Sequence, residues 1–476
     1  MALPRPESIA LLRRLVPNLV EADAGAIAAA LGDLPLALHL AGHFLAYHGA
    51  AISPQAYLDH LRHTASPAQP SPPDHELDLG RVIALSYEGL EIAVEADVSA
   101  RYLLACAASL APGEPIPRDL LLAVSPQPQP TRWTRLRHRL RLNRSLFTTG
   151  VDLRPARAAL DRLLQLGFLS PASNQTLLLH GRVAEFVLGQ AEVAGAQAAV
   201  EQALMTALSG RVEHAGYLGP LPTLAAHLRH VTDRARPRRD TTAASLCNQL
   251  GYYLHERGDY PAARNYLQEA LAIRRRLLGP EHPATATTLN NLGLLLQDMG
   301  NHDDAREYLE QALAVFRQVL GRHHPQIPIS LNNLGFLLRA MGNYPAARNY
   351  LEQALAIQRR LLGQQHLEVA QTLNNLGRLL HDMGDYPAAR NDLQQALAIY
   401  QQRLGRHHPD TATVLNNLGA LLQDVGDLPA AQAHYEQALA IRRKRLGQHH
   451  PATIASLNNL SRLLYARDSV SNKSGL

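Results

Sequence analysis

Leucines and alanines at helical spacing return in the same arrangement every 42 residues through the second half of the chain. In TATTLNNLGLLLQDMG, Leu289, Leu292, Leu296 and Met299 stand three or four residues apart and so share one stripe of a helix. The next segment, DDAREYLEQALAVFRQVLG, repeats the device with Ala305, Tyr308 or Leu309, Ala312 and Phe316; the small Ala305 and Ala312 allow two helices to approach closely. LNNLG occurs at Leu289–Gly293, Leu331–Gly335, Leu373–Gly377 and Leu415–Gly419 and returns as LNNLS at Leu457–Ser461, with a weaker CNQLG at Cys247–Gly251. Glycines keep the phase, closing the first helix (Gly258, Gly300, Gly342, Gly384, Gly426) and following the second (Gly279, Gly321, Gly363, Gly405, Gly447). His-Pro pairs at His282-Pro283, His324-Pro325, His408-Pro409 and His450-Pro451 open the following unit, because proline stops one helix and suits the first turn of the next. The pattern predicts five helix pairs and a final single helix, stacked as a solenoid in which each unit buries its face against its neighbours.

Before residue 241 the pattern changes. The segment 66–75 (SPAQPSPPDH) and Ser125–Pro130 (SPQPQP) read as breaks. Between them, VIALSYEGL and ARYLLACAASLAPGEPIPRDLLLAV carry helical periodicity. After them, RAALDRLLQLGFLSPASNQTLLLHGRVAEFVLGQ reads as helix, short hairpin and helix, with strands at Gly167–Ser170 and Thr176–Leu179. Helices followed by a small hairpin describe a winged helix. The expected fold is therefore mostly all-α. Its parts are a helical subdomain (1–65), a winged-helix-like domain (76–190), a helical connector (191–240), the array (241–465) and a polar tail (466–476).

With 476 residues, 46% hydrophobic and 18% charged, the chain has the composition of a multidomain soluble protein. Gly, Asp and Pro interrupt every apolar run before a membrane-spanning length, and MALPRPESIALLRRL lacks the features of a signal peptide, so a cytoplasmic protein is expected. Cys106 and Cys247 alone offer neither a disulfide framework nor a cysteine-based zinc site. The only lysines are Lys444 and Lys473, and neither stands in GxxxxGK[ST]. A P-loop needs that lysine at the β- and γ-phosphates, so ATPase activity is not expected. The paired histidines (His323-His324, His407-His408, His449-His450) recur without a carboxylate or cysteine partner and read as residues near helix ends, not as metal ligands. The segment Arg132–Arg144, RWTRLRHRLRLNR, carries six arginines around Trp133 and raises the possibility of DNA contact, although leucines at helical spacing equally describe a solvated amphipathic helix.

The repeat resembles the tetratricopeptide repeat (TPR), and its 42-residue length with LNNLG is similar to the kinesin-light-chain type, over Thr241–Tyr465. The resemblance implies that first helices line a partner-binding groove. Carried over by position, the groove holds Asn290, Asn291, Leu294, Gln297 and Asp298; Asn332, Asn333, Phe336 and Arg339; Asn374, Asn375, Arg378, His381 and Asp382; and Asn416, Asn417, Gln423 and Asp424. Two uses of the asparagines remain open: pairing with an extended peptide backbone, or spacing the helices across neighbouring units.

A second resemblance covers about residues 1–190. LGDLPLALHLAG (Leu31–Gly42) is similar to the GLPLAL segment of NB-ARC proteins of the STAND class, ALSYEGL and the following helices to their winged helix, and LLLHGRVAEF to their MHD segment. The resemblance implies that Pro35 is an adenine-contacting proline and His180 a phosphate sensor, although Leu179 and Gly181 replace the flanking methionine and aspartate. Without a P-loop these read as vestigial, Pro35 as a first-turn proline and His180 as a cap. ADP or ATP is expected only if a P-loop domain is supplied elsewhere. The expected function is a non-enzymatic protein–protein interaction scaffold or signalling adaptor that takes a protein or peptide in its groove. The alternative is a nucleotide-responsive STAND regulator whose P-loop core lies outside this chain, and a weaker one is a DNA-binding regulator.

Overall fold

The computed structural model describes residues 2–49, 51–63, 79–91, 94–124, 153–190, 193–215 and 222–473. The two Pro-rich breaks and the basic segment Arg132–Arg144 lie outside the described residues. The chain forms two compact units, residues 1–253 and 254–476. No described helix is long and apolar enough to cross a membrane.

The first unit begins with α1 (Arg5–Leu15), α2 (Glu21–Ala30), α3 (Pro35–His48), α4 (Pro54–His63) and α5 (Leu79–Glu88). The apolar stripe of α3 buries Leu38, Leu40, Phe44 and Leu45. Helix α1 crosses α3 at Gly42, where a Cβ would lie 2.6 Å from a Leu15 methyl, so only glycine permits that approach. Then come α6 (Glu95–Ala108), strand β1 (Ile116–Pro117), α7 (Arg118–Ala123), α8 (Arg154–Gln165), β2 (Leu169–Pro171), β3 (Thr176–Leu179) and α9 (Gly181–Leu188). The strands make one antiparallel sheet in the order β1-β3-β2, with Leu169 opposite Leu179 and Ile116 opposite Leu177.

The hairpin forms where the sequence predicts it, whereas β1 lies in a stretch whose periodicity reads as helix. Pro112, Pro115 and Pro117 remove backbone donors from that stretch, and the freed chain runs along β3, with Arg118 N–H donating to the Gln175 carbonyl at 2.9 Å. Helices α10 (Val193–Ala215) and α11 (Pro222–Ala235) follow. His227 of α11 is fully buried; it accepts at Nδ1 from Ala111 N–H (3.1 Å), which leaves Nε2–H to donate to the Pro115 carbonyl (3.1 Å).

Eleven helices follow in repeating pairs: α12 (Thr241–Glu256) and α13 (Tyr260–Leu278); α14 (Pro283–Asp298) and α15 (His302–Val319); α16 (Gln326–Ala340) and α17 (Tyr344–Leu362); α18 (Leu367–Asp382) and α19 (Tyr386–Arg403); α20 (Pro409–Val425) and α21 (Leu428–Leu446); and the single α22 (Pro451–Lys473), which continues beyond Tyr465. The division between the compact units falls inside α12. The four pairs from α14 to α21 each close on an LNNLG glycine: at Gly335 a Cβ would stand 2.5 Å from Leu351 Cγ of the partner helix. Capping follows the repeat. Asp259, Asn343, Asp385 and Asp427 accept from the backbone N–H three residues on, each followed by a helix with proline in its first turn. The first helices are capped by imidazoles: Nδ1 of His282, His324, His366, His408 and His450 each accepts from the N–H two residues on, at 3.1–3.3 Å. The second member of each paired histidine is thus a helix cap.

Candidate partner-binding face

The asparagines of LNNLG make a ladder between neighbouring first helices. Asn333 Nδ2 donates to Asn290 Oδ1 at 3.2 Å, Asn375 to Asn332 at 3.1 Å, Asn417 to Asn374 at 2.8 Å and Asn459 to Asn416 at 3.2 Å. In these four units the second asparagine therefore reaches back to the first asparagine of the unit before. Ser330 and Ser456 hydroxyls add donors to Asn290 and Asn416. Asn290, Asn332, Asn374 and Asn375 are buried, while Asn291, Asn333, Asn416 and Asn417 are half-buried. A carboxamide is both donor and acceptor, so identical residues can chain from repeat to repeat with no mismatch at either end. Only one of the two Nδ2 hydrogens is used in each rung, and the carbonyl oxygens of Asn333 and Asn417 accept no hydrogen bond among the described residues.

Seven residues further along, two turns of helix, a second ladder runs parallel to the first. His255 Nε2 meets Asp298 Oδ2 at 2.8 Å, Arg339 pairs with Asp382, and His381 Nε2 meets Asp424 Oδ2 at 2.8 Å. The same offset brings Gln297 opposite Ala340, which offers no side-chain partner, and the Gln297 side-chain oxygen is buried without a hydrogen bond. The sequence reading places Arg339, His381, Asp382 and Asp424 on the face but does not pair them. The signal was available: acids at 298, 382 and 424 each stand 43 residues after a basic or imidazole side chain, the offset that joins the asparagines.

Between the ladders runs a row that does vary: Leu294, Phe336, Arg378 and Ala420, all half-buried, and the exposed Arg462. The Arg378 guanidinium lies 5.6 Å from the centre of the Phe336 ring and that of Arg339 at 5.7 Å, so one aromatic ring serves two cations. Burial, then the neighbouring Arg339 charge, push the Arg378 pKa down to about 10, with Asp382 opposing; the group remains charged at neutral pH. Arg339 spends its charge on Asp382, whereas Arg378 makes no hydrogen bond among the described residues.

Pro35 and His180 occupy helix starts. Pro35 is exposed in the first turn of α3, and the exposed His180 caps α9, its Nδ1 accepting from Arg182 N–H at 3.2 Å. The turn before Pro35 is tied down by Arg5, whose guanidinium forks onto the Asp33 carboxylate at 2.7–3.0 Å. Among the described residues no group of three His, Cys, Asp or Glu could hold a metal ion.

Residues 241–318, 287–360, 326–402, 368–444 and 410–469 match the tetratricopeptide repeat family, so the array consists of tetratricopeptide repeats. Among solved structures, BtubC (BKLC) from P. vanneervenii is 27% identical over 48% of this chain and 92% of that one, with a TM-score of 0.40. A Podosopora anserina protein of the kinesin light chain type, with nearly identical TPR-like repeats, is 28% identical over 42% of this chain and 94% of that one, with a TM-score of 0.35. A Signal Transduction ATPase with Numerous Domains (STAND) protein with a tetratricopeptide repeat sensor, from Pyrococcus horikoshii, is 13% identical over 98% of this chain and 70% of that one, with a TM-score of 0.38. No curated protein matches the chain significantly.

Proposed function

We propose that this protein is a non-enzymatic interaction scaffold that takes a protein or an extended peptide along the first-helix face of its repeats. The reading is carried by Arg378: a charged guanidinium, half-buried against Phe336 and hydrogen-bonded to nothing among the described residues, suits a carboxylate or carbonyl brought by a ligand. The division of labour along the face supports it. Identical asparagines and the Arg–Asp and His–Asp rungs tie helix to helix, while Leu294, Phe336, Arg378 and Ala420 differ from unit to unit, as positions must if they read a sequence rather than repeat a contact. The free carbonyl oxygens of Asn333 and Asn417, with the remaining amide hydrogen of Asn375, are placed in this reading to meet a peptide backbone.

A displayed library of random peptides selected on the purified protein tests the reading. Enriched peptides are expected to bind with micromolar affinity and to lose about tenfold or more with Phe336→Ala or Arg378→Ala, but not with Arg306→Ala on the second-helix surface. Peptides that bind all three variants alike would remove the face from consideration.

Residues 1–190 resemble, in this reading, the helical and winged-helix parts of a STAND-type switch and serve for packing. The support is local: Pro35 and His180 both serve helix starts, and no lysine stands in a P-loop context. Titration with Mg-ADP should give no heat; micromolar binding abolished by His180→Ala would overturn this part of the reading.

A further inference from the structure

Successive helices of the array alternate in direction, so every second helix ends, and the next first helix begins, on one edge of the stack. That edge gathers cations. Arg275, Arg317, Arg359 and Arg443 recur at one position of the repeat, all exposed, and Arg403 and Arg445 stand two residues further on in the last two pairs. Arg322 and Arg406 follow in the connecting turns, each beside an exposed imidazole, His323 or His407. The helix caps are the second members of those paired histidines, so the first members are left at the surface. Where arginines of the edge bond across units, their acceptors are neutral. Arg317 and Arg359 donate to the carboxamide oxygens of Gln353 and Gln395, and Arg403 and Arg445 donate through Nε to the backbone carbonyls of Gln365 and His407. These guanidiniums are ordered without being neutralised. Arg275, Arg322, Arg360, Arg406, Arg443 and Lys444 make no ion pair among the described residues, whereas Arg306 and Arg348, toward the opposite edge, pair with Glu310 and Glu352. From the last turn of each second helix to the first turn of the next helix, Glu281 is the only exposed carboxylate among the described residues.

Apolar side chains share the edge. Leu277, Val319 and Leu361 stand two residues after Arg275, Arg317 and Arg359 and are 46%, 48% and 38% exposed. The helix dipole favours a cation in each last turn, but it accounts neither for Arg322 and Arg406 beyond the helix ends nor for a row of aliphatic groups in water. We propose that this edge docks on a bilayer surface rich in anionic lipid, without crossing it. The choice of partner rests on the two kinds of side chain together. Anionic headgroups meet the arginines, and the acyl boundary just beneath them takes Leu277, Val319 and Leu361. A nucleic acid matches the cations alone. The large rings in the last turns of the second helices, Phe316 and Tyr400, are buried, so among the described residues this edge offers a base no large ring to stack on. Each cation near an anionic surface strengthens binding about fivefold, so one cluster per repeat gives firm but salt-sensitive attachment.

Flotation of the full chain with vesicles of phosphatidylserine and phosphatidylcholine in equal parts, against phosphatidylcholine alone, tests this. The wild-type protein should float with the first and not with the second, and added salt should release it. Arg360→Glu, Arg406→Glu and Lys444→Glu together should weaken attachment about a hundredfold or more. Leu277→Ser with Leu361→Ser should weaken it about tenfold. The same change of charge on the opposite edge, Arg257→Glu, Arg264→Glu and Arg390→Glu, should leave it within about threefold of wild type. All these positions are exposed, so the helical circular dichroism should not change. A wild-type protein that ignores phosphatidylserine at low salt overturns the proposal, as does equal loss from the two charge-reversed variants. Attachment indifferent to the leucine substitutions, with an oligonucleotide retained by the same arginines, overturns it in favour of nucleic acid. None of these outcomes bears on the first-helix face, which Phe336→Ala and Arg378→Ala test.

Discussion

Between residues 283 and 473 the same few contacts recur: an asparagine rung between neighbouring first helices, a glycine under a leucine or tyrosine within a pair, and imidazole, aspartate or asparagine caps at most helix starts. Between residues 2 and 253 the polar contacts are made once each. Arg162 forks onto Asp97 with Nε to Oδ1 at 2.8 Å, stands 3.6 Å over the Tyr47 ring and donates to the Gly89 carbonyl. Arg238 grips the buried Glu201 through two 2.8 Å bonds, and His227 holds two backbone groups of one segment, Ala111 and Pro115, more than a hundred residues away. The difference has an energetic consequence. In a stack of units, stability is close to a sum of unit and neighbour terms, so losing one rung weakens one junction. A single-copy lock has no duplicate to share its loss.

The sharpest way to break that comparison is through Asp97. Its side chain is 5% exposed and that of Arg162 11%, and Asp97 also accepts from the Glu91 backbone N–H at 3.0 Å. Asp97→Ala leaves a buried guanidinium without its counter-ion, which costs about 3–5 kcal/mol. Hydrogen exchange read by mass spectrometry should show faster exchange across α6 and α8, with the array helices α14 to α20 unchanged. Equal acceleration in both units would show that the two do not hold themselves separately.

In the array the largest single effect is expected at a packing glycine. Gly335→Ala drives a methyl into Leu351 and should cost about 1–3 kcal/mol in a urea melt. Gly342 provides the control: it has φ +76° and nothing within 4 Å of a Cβ, so Gly342→Ala pays only for left-handed backbone, about 1–2 kcal/mol. If the two losses are equal, helix approach is not what fixes the LNNLG glycine.

These positions also mark what the sequence could disclose. The period, the helix pairs, the β2–β3 hairpin and the glycine breaks are local patterns, and they are legible because each is a spacing along one segment. The ladders are not local: Asn332 and Asn375 face one another only because adjacent units stack with a one-residue offset, turning a 42-residue repeat into a 43-residue contact. Read within one unit, the two asparagines look like two outward-facing amides. Strand β1 escaped for a related reason, since its two residues take their pairing from β3 some sixty residues later. The Arg162–Asp97 lock joins residues 65 apart with no motif at either end.

A single rung should be worth less than either glycine. Asn375→Ala leaves Asn332 without its donor and should cost about 1 kcal/mol; replacing Asn332 by alanine as well should add less than its own separate cost, because the pair has already been broken. Strict additivity in that double-mutant cycle would mean the rung contributes nothing as a pair.

The smallest effect expected is also the one that tells caps apart. His450 starts α22 with a neutral imidazole, Nδ1 accepting from Ala452 N–H at 3.1 Å. Burial, then the Arg442 charge, lower its pKa from the ordinary 6.5. A histidine whose pKa is depressed in the folded chain contributes its full stability above about pH 6.5 and loses it as pH falls, because the unfolded chain takes up the proton first. The cap is worth about 1 kcal/mol, so wild type and His450→Ala should differ by that much at pH 8 and converge toward acid. His450→Asn keeps an acceptor that does not titrate in this range, and it should hold the wild-type stability at pH 8 while losing less of it toward pH 5. A difference between wild type and His450→Ala that is constant with pH would assign the effect to packing against α22, and the imidazole would then be a spacer rather than a cap.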